Sequence, residues 1–124
     1  MSHPLVTILG HPTGRLLLGR AGSRFDLDAV ARAAAANGTA LEINASPHRL
    51  DLAPAMARRA VELGCDVAIS PDAHSVSELG NTPLGERVAR RAGVARDRVL
   101  NAGSAETVVA RLAARREAAL ARLA

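Results

Sequence analysis

The sequence contains no lysine, tryptophan or tyrosine, and its aromatic content is the single Phe25. A core must therefore be assembled from Leu, Val, Ile and Ala. All 16 basic residues are arginine, which together with the abundant alanine reads as coding bias rather than function. Cys65 is the only cysteine, so no internal disulfide can form; its place between Gly64 and a strand-like run suits a small buried apolar residue. No run of about 18 apolar residues occurs, and no basic region followed by an apolar stretch opens the chain. A membrane-spanning helix and a secretory leader are not expected, and a cytoplasmic location is.

What is present fits one folded domain: 124 residues, 48% apolar and 23% charged. That length is too short for a complete eight-fold (β/α) barrel, which needs about 250 residues. The net charge of +4 permits phosphate-bearing partners without demanding them. The pairs Arg58-Arg59, Arg90-Arg91 and Arg115-Arg116 fall in stretches that read as helix, where a solvated face is the expectation.

Strand-like and helix-like segments alternate. Leu5 to Leu9 is short, apolar on both faces and rich in β-branched residues, as a buried parallel strand is, and it stops at Gly10-His11-Pro12. After a loop rich in Gly and Arg, Asp26 is placed to cap a helix through the alanines to Ala36, with Asn37-Gly38 as its stop. Ala40 to Asn44 is a second strand, Pro54 opens a second helix ending at Gly64, and Val67 to Ser70 is a third strand. The intervals match βαβ units, so a parallel sheet with right-handed crossovers is predicted. Pro83 opens a further helix stopped by Gly93, Val99-Leu100-Asn101 is extended, and Ser104 caps a last helix. There Val108, Leu112, Leu120 and Leu123 are expected to pack on the sheet.

The polar residues gather at strand ends. Alternation along a strand groups Ser70, Asp72 and His74 on one face, Glu42 with Asn44, and His11 with Thr7 and Leu9. In parallel α/β folds ligands bind at the carboxyl ends of strands. Two imidazoles and a carboxylate converging there could hold a transition metal, although each motif alone also reads as a turn residue or a packed histidine. Glu42 in a sheet interior is costly unless paired, which argues for a polar cavity. His3 and His48 read as surface or loop residues.

Five ordered blocks carry a resemblance: Ile8-Leu9-Gly10-His11-Pro12-Thr13-Gly14-Arg15, Leu41-Glu42-Ile43-Asn44, Arg49-Leu50-Asp51-Leu52, Ile69-Ser70-Pro71-Asp72-Ala73-His74-Ser75, and Ala89-Arg90-Arg91-Ala92 with Val99-Leu100-Asn101. In order and spacing they resemble the C-terminal part of the polymerase-and-histidinol-phosphatase (PHP) domain, most closely that of bacterial family X DNA polymerases. The resemblance spans nearly the whole chain. It implies a seven-stranded (β/α) barrel whose strand ends hold up to three divalent ions, Mn or Zn, and an activity on phosphoesters, including 3'-5' exonuclease and DNA end processing. By position it implies His11, Asp72 and His74 as metal ligands and Glu42 and Asn44 as residues supporting them. Arg15 and Arg49 fall near the mouth, where each could hold a phosphate or anchor a loop.

The family's early His-x-His pair has no counterpart here, nor has the polymerase region. Residues 1–124 are therefore expected to be the C-terminal portion of such a domain, a partial barrel of about three strand-helix units with C-terminal helices. At most one ion is expected, with activity depending on ligands supplied from elsewhere. Open edges on the first and third strands would invite self-association or pairing with an N-terminal half-barrel chain. The substrate implied is a phosphoester, DNA 3' ends among the possibilities. The other reading is a non-catalytic remnant or interaction module that keeps only part of the metal site.

Overall fold

The structure is a computed structural model describing residue 3 and residues 5–123. Three strands, β1 (Ile8–Leu9), β2 (Ala40–Asn44) and β3 (Val67–Ser70), lie parallel in the order β1-β2-β3. Between and after them run α1 (Leu27–Asn37), α2 (Pro54–Glu62), α3 (Thr82–Ala92) and α4 (Ala105–Ala121). The α/β class and the parallel sheet are as expected, and the sheet is open. β1 is shorter than the predicted five residues. It pairs only with β2, through Ile8 opposite Ala40 and Leu9 opposite Leu41, and Leu5 is exposed in a turn.

The helix boundaries follow local chemistry. Asp26 accepts a hydrogen bond from the Ala29 N–H at 3.0 Å at the start of α1, and Gly38 ends that helix in the left-handed region at φ +64°. Pro54 opens α2, and the Ser104 hydroxyl accepts from the Thr107 N–H to cap α4.

One face of the sheet, formed by Leu41, Ile43 and Val67, is covered by α1, α2 and α3 through small residues such as Ala31, Ala34 and Ala57. With no aromatic residue in that core to fill space, close approach does the work. A Cβ at Gly85 would stand 2.6 Å from Ile69 Cγ2 and 2.9 Å from the Ala45 methyl, so α3 lies on the sheet at a distance only glycine permits. The crossover helices α1 and α2, and α3 after the last strand, thus lie on one side. The opposite face carries Ala40, Glu42, Asn44, Ala68 and Ser70, with Ala40 and Ala68 meeting Leu100 and Leu112.

α4 departs from the expected apolar docking. Leu120 and Leu123 are exposed, and the helix is fastened mainly by arginine forks. Arg111 donates to the carbonyls of Val99, Leu100 and Asp97. Arg115 donates to those of Gly38 and Val6, and burial lowers its pKa. Arg58 likewise caps the C-terminal carbonyls of α3, bonding Ala92 and Arg91 at 3.1 and 3.0 Å. Arg58 and Arg115 are therefore tertiary fasteners, where a solvated face was expected; the planar fork spans two carbonyls at once. Arg59 instead meets Asp28 on the surface.

Of the two sheet edges, which were both expected to be open, that of β3 differs from expectation. The edge of β3 is covered: the Leu100 N–H bonds the Val67 carbonyl at 2.7 Å. The Asn101 amide both accepts from the Ile69 N–H at 3.0 Å and donates to the Ile69 carbonyl at 2.7 Å. A side-chain amide there stands in for a neighbouring strand. At the β1 edge Leu5 and Ile8 are exposed beside Val109. Among the described residues no helix is long and apolar enough to cross a membrane.

Candidate functional site

The carboxyl ends of the three strands bring His11, Glu42, Asn44, Ser70 and Asp72 together. β2 supplies the foundation. Its five residues are all buried, so Glu42 and Asn44 must find partners inside the protein. Glu42 does so fully: Oε2 accepts the His11 N–H at 2.7 Å and lies 3.4 Å from the Asn44 amide nitrogen, while Oε1 accepts the Ser70 hydroxyl. The cost of burying this carboxylate is offset by those three donors.

Asn44 fixes the His11 ring. Its Oδ1 accepts the Ser46 N–H at 3.0 Å, which leaves its amide nitrogen to donate toward His11 Nδ1, also at 3.0 Å. An amide N–H cannot accept, so Nδ1 presents its lone pair and the proton of the neutral imidazole sits on Nε2. Nε2 faces Asp72 Oδ1 at 3.7 Å.

The route by which His11 reaches this cluster differs from strict alternation. Leu9 packs toward the helix-covered core, and its face is not that of Glu42. The strand ends before His11, whose φ of +44° turns the side chain toward Glu42 and Asn44. Asp72 is also left-handed, at φ +55°. Each such non-glycine residue costs about 1 kcal/mol and persists only where surrounding structure holds it. Two of them facing one another beyond the ends of β1 and β3, on either side of β2, mark a constructed site.

Asp51 is the part of that construction that sequence reasoning left without a role. It is wholly buried, and its carboxylate accepts the N–H groups of Thr13 and Gly14, each at 3.0 Å. It thereby clamps the loop that follows His11, while its backbone pairs with Asn44. The available signal was a carboxylate set directly between two apolar residues, Leu50 and Leu52.

The candidate arginines occupy different positions. Arg15 donates from Nε to the Arg49 carbonyl at 2.8 Å and from its terminal nitrogen to the Leu50 carbonyl, so its fork anchors the 46–51 loop. Arg49 meets Asp72 directly, Nε to Oδ2 at 3.2 Å. His74 stands apart from the cluster: its side chain is 80% exposed, with Nδ1 2.8 Å from the Asp72 carbonyl and 3.9 Å from Glu78. Its N–H is taken by the Glu78 carboxylate at 2.5 Å. A cleft of about 400 Å³ lies beside these groups, lined by Ser46, His48, Arg49, Asp72, His74 and Glu78. Cys65 is remote from it, and burial pushes its thiol up to about 11, as suits an inert core residue.

Among the described residues, no three His, Cys, Asp or Glu side chains are gathered around a common point as metal ligands. The donor set nevertheless fits one ion in part. His11 Nε2 and Asp72 Oδ1, 3.7 Å apart, are within the reach of two bonds of about 2.1 Å to a shared cation. Ligation through Nε2 requires the ring proton on Nδ1, where Glu42 Oε2 at 3.4 Å is the acceptor at hand.

A parallel α/β sheet with polar and ionisable groups converging at the strand ends belongs to the class of folds that bind ligands there. Two relatives narrow the class. The chain is 41% identical over 105 residues to the DNA polymerase/3'-5' exonuclease PolX of Bacillus subtilis (strain 168), covering 85% of this chain and 18% of that protein. It is 34% identical over 121 residues to a probable phosphatase of Shewanella halifaxensis (strain HAW-EB4), covering 93% of this chain and 46% of that protein. No protein-family model matches the chain. The chain thus spans under half the length of either relative, and it is homologous to the PHP-like C-terminal part of a family X polymerase, as its motifs indicated.

Proposed function

We propose that residues 1–124 are the C-terminal portion of a PHP-type, metal-dependent phosphoesterase, with His11, Asp72 and His74 as ligands of one divalent ion, Mn or Zn. The observation that carries this reading is the left-handed pair His11 and Asp72, whose Nε2 and Oδ1 atoms face each other at 3.7 Å. The crossovers α1 and α2 lie on the same face of the sheet, as the strand-helix units of a (β/α) barrel do, while α4 meets the opposite face through Leu112. A bound ion would supply an activated water and a clamp on phosphate oxygens. The chain's own residues would prepare that position. Glu42 would hold the Nδ1 proton of His11 once the Asn44 amide no longer donates to that nitrogen, Asp51 would keep the loop in place, and Arg49 lies at the cleft where a substrate phosphate would approach. Arg15, already spent on two carbonyls, serves by anchoring Arg49's loop rather than by touching phosphate.

The two relatives, one named as a 3'-5' exonuclease and one as a probable phosphatase, support a phosphoester as the substrate class, with DNA 3' ends as the candidate to test first. Because only His11 and Asp72 of the three proposed ligands meet in this structure, we propose that activity needs further ligands from an N-terminal PHP half-domain. The test is manganese-dependent release of nucleotides from a labelled DNA 3' end, by the chain alone and with such a half-domain added. Activity in the mixture that disappears with Asp72→Ala supports the proposal. Inactivity in both, with no heat of manganese binding by calorimetry, leaves the non-catalytic interaction module, the reading that the separation of His74 from the cluster favours.

A further inference from the structure

Asp72 has a second neighbour that the metal reading does not use. While Oδ1 faces His11, Oδ2 is held by Arg49 Nε at 3.2 Å, and both side chains are largely withdrawn from water, at 23% and 18% exposure. A guanidinium at that distance satisfies the carboxylate's charge as a divalent ion would. The two cations cannot both sit close to Asp72 without repelling each other across a partly dry site.

Arg49 is also built to let go. Its backbone is secured independently of its side chain: the Arg15 fork holds the Arg49 and Leu50 carbonyls, and the N–H groups of Arg49 and Leu50 bond the Ser46 carbonyl at 2.9 and 3.0 Å. Among the described residues the guanidinium itself has only Asp72 and a long 3.5 Å contact to the Arg15 carbonyl, and it borders the cleft of about 400 Å³. Its release would leave the loop in place.

From this arrangement we propose that Arg49 is a two-position residue: it occupies Asp72 as a built-in counter-cation when no ion is bound. A divalent ion displaces it, and its freed fork then takes an oxyanion in the neighbouring cleft. Ion and oxyanion thereby bind with positive coupling, each drawing Arg49 away from Asp72 or holding it away. This rests on the proposed metal site at His11 and Asp72, and names the residue that sets its affinity.

The test is manganese titration by calorimetry on the full chain and on Arg49→Gln, Arg49→Lys and Asp72→Asn, with and without sulfate as the oxyanion probe, each variant first shown to melt cooperatively. Removing the competing charge-assisted hydrogen bond should tighten manganese binding about tenfold in Arg49→Gln. Arg49→Lys, which keeps the charge, should stay within about threefold of the parent. Sulfate should tighten manganese binding in the parent and leave Arg49→Gln unchanged. Equal or weaker affinity in Arg49→Gln overturns the proposal, as does identical behaviour of the Gln and Lys variants, which would make Arg49 a loop-packing residue. If Asp72→Asn abolishes binding while Arg49→Gln changes nothing, the metal site stands and the counter-cation falls; if Asp72→Asn binds as the parent does, the metal site at Asp72 falls with it.

Discussion

Around His11 nearly every polar atom of the site is held by the fold, with its N–H on Glu42, its ring on Asn44 and its loop on Asp51, whereas around His74 the side chain is mostly in water. The first half grows from β2, the central strand, whose residues are buried on both faces and can be satisfied only by other groups of the protein. The second half follows the end of β3 and runs into a short 3-10 turn at Ser77–Asn81 with no buried residue. One half of the site is organised before any ligand arrives. The other can be organised by one.

This contrast makes graded predictions. The largest effect should come from Asp51→Ala, which strips a buried carboxylate from two N–H groups. A loss of about 3 kcal/mol, read as a drop of roughly 10 °C in Tm, is expected. A loss under about 1 kcal/mol would mean that the loop after His11 holds itself. Asn44→Ala should cost about 2 kcal/mol by chemical denaturation. It should also release the His11 tautomer: nitrogen chemical shifts should show the proton on Nε2 in the parent and distributed over both nitrogens in the variant.

His74→Ala should change stability by less than about 0.5 kcal/mol, as an exposed side chain does. Its effect belongs to metal affinity, so calorimetry with manganese should weaken while the melt is unmoved. The smallest change is expected from Asp28→Asn, a surface baseline for the other three. The Arg59 hydrogen bond holds the Asp28 carboxyl below its usual value. A lowered carboxylate contributes stability above its unfolded pKa and loses it as pH falls through the folded one. The variant should therefore flatten the acid limb of the stability profile slightly. It should leave the pH dependence of manganese binding untouched.

Much of the fold was legible locally. β2 and β3 coincide with their apolar runs, and Asp26, Pro54 and Ser104 start helices where side-chain chemistry says they should. The pairing of Glu42 followed from the cost of leaving it bare. The position of His11 did not follow from alternation, because a left-handed residue after the strand breaks the two-residue period that the reasoning used. The closure of β3 by Asn101 was equally hidden: Val99-Leu100-Asn101 reads as a short extended piece with no partner indicated, and the two Asn101 bonds to Ile69 connect residues 32 apart.

The sequence by itself determined the class of fold, the alternation of its elements, the arginine-only basic set and the family to whose motifs the chain is related. Local periodicity and capping are properties of neighbouring residues, so a linear reading reaches them. Tertiary structure alone decided that Asp51 clamps the His11 loop, that Arg15 is spent on carbonyls, and that Asp72 stands between His11 and Arg49. Those choices join residues more than 20 positions apart, each with several chemically equivalent candidates, and only the packed chain shows which candidate lies within reach.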